Sequence, residues 1–159
     1  MMRWIKPVLI GLFTLTAGLG AAQGAETPAA ETIRPAGDAT LDDFRWISRP
    51  LVVFADNPAD PRFVQQMELI NDRLEALEDR DVVVITDTDP SARSPIRLEL
   101  RPRGFMFTLI SKDGTILLRK PAPWDVREIS RSIDKLPLRK QEVRDRHSAV
   151  RPPMDAPAE

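Results

Sequence analysis

The sequence predicts an α/β fold: a mixed central sheet with flanking helices. Three observations carry that expectation. Leu51-Val-Val-Phe-Ala55 and Asp81-Val-Val-Val-Ile-Thr86 are short continuous apolar runs, the mark of strands buried on both faces. An amphipathic helical pattern separates them, so the two strands should lie parallel. Phe105–Ser111 and Thr115–Lys120 flank Lys112-Asp-Gly114, which predicts an antiparallel hairpin.

The elements follow in order. Pro50 and Asp56-Asn57-Pro58 bound the first strand. Asp60-Pro61 opens a helix, with Asp as N-cap and Pro at the first helical position. Phe63, Met67, Ile70, Leu74 and Leu77 recur at spacings of four and three, one apolar stripe running toward Arg80. Ser91–Arg103 carries two patterns. Ile96–Arg101 alternates like a strand, while Ser94-Pro95 is a helix start, and the helix is the preferred reading. After the hairpin, Pro121-Ala-Pro123 breaks the chain, and Trp124–Leu136 predicts a last helix with Val126, Ile129, Ile133 and Leu136 on one face. The order β-α-β-(α)-β-β-α is the thioredoxin-like arrangement, with a ferredoxin-like fold as the alternative.

The flanks read differently. Arg3 and Lys6, the apolar run Pro7–Leu19 and the small residues Ala21–Ala25 have the order of a secretory signal peptide. The run is shorter than the ~18–20 residues a spanning helix needs. The expectation is therefore a signal peptide over residues 1–24, cleaved between Ala22 and Ala25, with no stable membrane span afterwards. The product would be periplasmic or secreted. Residues 25–40 read as a flexible leader, 41–146 as the thioredoxin-like domain, and 147–159 as a disordered tail.

Composition excludes several kinds of chemistry. The chain has 159 residues, no cysteine and one histidine, His147. That removes disulfides, thiolate catalysis and thiolate metal sites, and disfavours a Ser–His–Asp triad. The formal charge is −1 and no aromatic residues interleave with the basic ones, so nucleic acid is not an expected partner. No Gly-rich phosphate loop is present, and no cofactor is expected.

The residues also resemble a known family. Phe44-Arg-Trp46 leading into Arg49-Pro-Leu-Val-Val-Phe-Ala55, Asp60-Pro-Arg62, the Lys112-Asp-Gly114 turn, and Ile133-Asp-Lys-Leu-Pro-Leu-Arg-Lys-Gln-Glu-Val-Arg144 together resemble the bacterial domain of unknown function 4174. The resemblance spans about Leu41–Arg146. It implies a thioredoxin-like fold. It also implies a relation to C-terminal domains of animal extracellular-matrix proteins with coiled-coil or sushi repeats. It implies no activity and no catalytic residue.

Candidate sites follow from that topology. A thioredoxin-like fold places C-x-x-C after the first buried strand, where a helix N-terminus lowers a thiol pKa. Here Asn57-Pro-Ala-Asp60 fills the position. Asp56, Asn57, Asp60 and Arg62, with Arg103 and Gly104 before the third strand, form a candidate binding loop. Asp56, Asp87 and Asp89 could converge at the carboxyl edge of the sheet as hard oxygen ligands for Mg²⁺ or Ca²⁺. Against that, Asp-Thr-Asp-Pro is ordinary turn chemistry. Lys135, Arg139, Lys140, Arg144 and Arg146 alternate with Glu142 and Asp145 and read as a solvated helix face. Trp46 and Trp124 read as packing anchors.

The functional expectation is an exported binding or interaction module of the cell envelope, without redox chemistry, for a protein partner or small ligand. The alternatives are a metal-assisted hydrolase using Asp56, Asp87 and Asp89, and a structural or adhesion role.

Overall fold

The computed structural model describes residues 32–150. The expected signal peptide lies outside the described residues, as do the first part of the leader and residues 151–159.

Five strands form one mixed sheet in the order β1-β3-β2-β4-β5. The central strand β2 (Arg49–Phe54) is buried along its whole length. It lies parallel to β3 (Val82–Asp87), from Arg49 opposite Val82 to Phe54 opposite Asp87. On its other side it pairs antiparallel with β4 (Met106–Ile110), which turns back into β5 (Ile116–Lys120). Strand β1 (Ile33–Pro35) lies parallel to β3 at the sheet edge.

Alternation along β2 divides the core. Leu51 and Val53 face α1 (Pro61–Asn71), α2 (Leu74–Glu78) and α4 (Val126–Asp134), packing with Ile70, Leu77, Phe107, Ile129 and Ile133. Val52 and Phe54 face α3 (Pro95–Leu100), packing with Ile96, Leu100, Met106 and Phe44. Three N-caps set the helix starts as their sequences require. Asp60, Ser94 and Asp125 accept hydrogen bonds from the backbone N–H of Arg62, Arg97 and Arg127.

The ambiguous segment is a helix. In a strand Ile96, Leu98 and Leu100 would share one face. Instead Ile96 and Leu100, four apart, are buried, while Leu98 is 50% exposed.

Four expectations need correction. The leader does not reach residue 40: Ile33–Pro35 is a strand, and the Ala36 N–H continues its ladder to the Thr86 carbonyl at 2.9 Å. Strand β3 needs a partner on its outer edge, and three residues suffice. The first helix does not run unbroken to Arg80. Arg73 leaves the helical region at φ −140°, and α2 restarts with Leu74 and Leu77 still on the core side. The tail does not begin at His147, because α5 (Pro137–Val150) continues through it. Trp46 is not a packing anchor. It is 66% exposed at φ 64°, its N–H bonded to the Lys112 carbonyl at 2.7 Å. Trp124 does pack, stacked on Phe107 with ring centroids 6.2 Å apart.

The basic run on α5 is only partly solvated. Arg139 is buried, donating to the Asp79 carbonyl at 2.9 Å. Glu142 accepts from the fully buried Arg49 at 2.8 Å, and Arg146 meets Asp81 at 2.8 Å. Spacings of three and four put these three side chains on one stripe, so α5 docks by charge where other helices dock by apolar contact. Among the described residues, no helix is long and apolar enough to cross a membrane.

Candidate functional site

Strand β2 feeds α1 on one face of the sheet, and β3 leads to α3 on the other. Their carboxyl ends therefore open a crevice at a topological switch point, the usual ligand position in α/β sheets. The sequence puts charge there: Asp56 just beyond β2, Asp87 at the end of β3.

Arg97 of α3 fills the crevice. Its Nε and Nη2 donate to Asp87 Oδ1 at 2.9 and 2.8 Å. Nη2 also reaches the carbonyls of Ala55 (2.8 Å) and Asp87 (3.0 Å). Ser94 Oγ donates to Asp87 Oδ2 at 2.5 Å. The guanidinium lies over the Phe54 ring, 5.4 Å from its centroid. A buried charge persists only when paired and hydrogen-bonded, and here every oxygen of Asp87 is engaged. The clasp ties the two central strands together.

The third nitrogen, Nη1, is different. Its nearest acidic oxygen is Asp56 Oδ1 at 4.0 Å, beyond hydrogen-bond reach. Asp56 itself is 61% exposed. Beside it, Gly104 sits at φ 61°, where a Cβ would lie 3.9 Å from both Asp56 Oδ2 and Arg62 Nη2. So Asp56, Arg62 and Gly104, three of the candidate loop residues, do converge.

The rest of the loop is local geometry. Asn57 Oδ1 accepts from the Ala59 N–H at 2.9 Å. Asp60 caps α1 and pairs with Arg62, whose Nε and Nη2 reach it at 3.2 and 3.0 Å. Those bonds hold the Asp60 carboxyl below its ordinary pKa and raise that of Arg62. Arg62 also lies over Phe105, 5.5 Å from the centroid. Arg103 is exposed between Pro102 and Gly104.

The three-carboxylate arrangement does not assemble. Asp87 is turned into the Arg97 clasp, and Asp89 caps the short 3-10 turn Pro90–Ala92, accepting from the Ser91 N–H at 2.9 Å and Ser91 Oγ at 2.6 Å. Those Ser91 bonds lower the Asp89 pKa. Among the described residues no group of three His, Cys, Asp or Glu side chains is placed to hold a metal ion. Asp56 and Asp89 face solvent, but Asp89 is committed to its turn, which leaves Asp56 without a hydrogen-bond partner of its own among the described residues.

Sequence reasoning missed Arg97. The available signal was its place between Ile96 and Leu100 on the inner face of a short helix, where an arginine must find a partner. Gln66 carried the same signal, lying on the apolar stripe of α1.

The model of the family described as "Domain of unknown function (DUF4174)" matches residues 40–142. The chain belongs to this family. No curated protein matches the DUF4174 chain. Among solved structures it is similar to the reduced 2-Cys peroxiredoxin of Plasmodium vivax, at 17% identity and TM-score 0.51, covering 66% of this chain and 85% of that one. It is also similar to the mitochondrial 2-Cys peroxiredoxin of Plasmodium falciparum, at 16% identity and TM-score 0.43, covering 72% and 87%. At 17% identity the likeness to the Plasmodium vivax protein shows the fold alone: the DUF4174 chain is thioredoxin-like, as its pattern predicts. With no cysteine, it has no thiol for redox chemistry.

Proposed function

We propose that this DUF4174 chain is an exported, non-catalytic binding domain of the cell envelope, and that it meets its partner at the corner around Asp56, Arg62, Arg103 and Gly104. One observation carries the reading. The switch-point crevice, where this fold class holds ligands, is filled by the Arg97–Asp87 clasp and rimmed by exposed charge, with Asn57-Pro-Ala-Asp60 where a thiol pair would stand in the loop after β2. A charged rim on a rigid sheet edge suits recognition: the charges steer and orient a partner, and the clasp keeps the loop in place. The N-terminal pattern of Arg3, Lys6 and Pro7–Leu19 supports export.

The test uses the full chain, expressed in its envelope with a photo-reactive residue at position 57. A second version carries the residue at the exposed Glu68 on α1. The expected result is a discrete adduct from position 57, absent from position 68, on a chain whose N-terminus lies between Ala22 and Ala25. Equal or absent adducts at both positions would contradict an envelope partner at this corner. An intact Met1 would contradict cleavage and export.

A further inference from the structure

The corner holds an unused hydrogen-bonding pair. Arg97 is nine-tenths buried, and its Nε and Nη2 are fully engaged. Among the described residues its Nη1 has no hydrogen-bond partner, yet Nη1 is not one of the buried side-chain atoms left without one, and it lies 4.0 Å from the exposed Asp56. A buried guanidinium is held rigid, so the direction of its free N–H groups is fixed before any ligand arrives. Beside it Asp56 offers acceptor oxygens. Gly104 puts no side chain over the pair, and the space a Cβ would take is clear to 3.9 Å.

A donor and an acceptor side by side match one residue of an extended chain. In a strand the N–H and C=O of one residue point to the same side, which is how antiparallel partners exchange two bonds. The molecule already uses such a match internally. The Gln66 carboxamide accepts the Trp124 N–H at 2.7 Å and donates to the Trp124 carbonyl at 3.1 Å. Asp56 and Arg97 present the same two functions outward.

We infer that Arg97 Nη1 and Asp56 hold one residue of an extended peptide by its backbone, Arg97 donating to the carbonyl and Asp56 accepting the N–H. The ligand class is an unfolded or strand-like segment of another protein, with little dependence on its side chains. A simple anion fits less well. Asp56 would repel it, and the α1 N-terminus is already occupied by Asp60. This inference rests on reading the corner as a binding face and names what that face takes.

The test is a chemical-shift titration of the ¹⁵N-labelled chain. The probe is a short peptide blocked at both ends and built only from glycine, valine and threonine. Saturable shifts at the Asp56 and Gly104 amides and the Arg97 side chain are expected at millimolar peptide. N-methylation of the central peptide bond should abolish them. Asp56→Ala, an exposed change that leaves the clasp intact, should weaken binding at least fivefold. No shifts up to about 10 mM, a weak-binding limit of roughly 3 kcal/mol, would overturn the assignment. So would shifts that survive N-methylation or Asp56→Ala, or equal shifts produced by acetate alone. The two readings fail separately. If position 57 gives its envelope adduct while the peptide moves nothing, the face stands and the backbone assignment falls. If the peptide binds and no adduct forms, the assignment stands and the envelope role falls.

Discussion

The Gln66 side chain grips the backbone of Trp124 at both ends, accepting its N–H at 2.7 Å and donating to its carbonyl at 3.1 Å. Gln66 is fully buried, so the bonds are shielded from water. They fix the chain between β5 and α4, and with it Trp124 on Phe107. Truncation in Gln66→Ala would leave two backbone groups without partners in the interior. Each costs about 1–3 kcal/mol, so a loss of about 2–6 kcal/mol is expected in urea unfolding. A loss below about 1 kcal/mol, the worth of one ordinary hydrogen bond, would show that water replaces the contact.

Asp87 and Asp89 sit two residues apart and should behave very differently. Asp87→Ala strands the buried Arg97 without its counter-charge, and breaking such a pair costs about 3–5 kcal/mol. Asp89→Ala removes only a cap on a three-residue turn, at about 0.5–2 kcal/mol. Unfolding of the two variants, followed side by side, checks the order. A shared metal role would instead make both variants lose Mg²⁺ or Ca²⁺ binding while remaining stable, and calorimetric titration of the wild type should give no binding heat.

Helix α5 is expected to come loose in acid. Asp81 is held below its ordinary pKa by Lys112, Arg146 and Arg49, which outweigh the opposing effect of burial. Glu142 is held down in the same way, by Arg49 and Lys112 against burial. Both folded-state values lie below the unfolded ones. Their contribution is therefore present above the ordinary carboxylate range and is lost as pH falls through the lowered values. Amide exchange of residues 139–146 should accelerate below about pH 4, before the β2 and β4 amides respond. High salt at neutral pH should produce a weaker version of the same release. Simultaneous loss of helix and sheet protection would contradict docking by charge.

Gly104 is expected to resist substitution for a backbone reason. Its φ of 61° is left-handed, while the space for a Cβ is open. Gly104→Ala should therefore cost about 1–2 kcal/mol in unfolding, without disturbing the amide shifts of α3. Substitution with no cost would mean the loop relaxes to another conformation.

Sequence legibility divided along physical lines. Strands β2 and β3 were plain because burial on both faces leaves only apolar residues, and Asp60-Pro61 marked its helix because capping is local chemistry. Strand β1 was hidden, since three residues ending in Pro35 carry no periodicity, and only the unsatisfied edge of β3 requires them. The corner was half legible. Asp56, Arg62 and Gly104 follow from topology. The engagement of Asp87 does not, because it depends on Arg97 reaching across from a helix whose own pattern was ambiguous. Arg49 was hidden for the same reason: its partner Glu142 is 93 residues away.

The central claim is that the charged corner binds a partner and does not hold the fold together. It is tested most directly by reversing its exposed charges in the full chain, Arg62→Glu with Arg103→Glu, and measuring the position-57 adduct yield beside the melting temperature. The account expects the adduct to fall at least tenfold while the melting temperature shifts by no more than a few degrees, as surface substitutions do. An undiminished adduct at unchanged stability would contradict it.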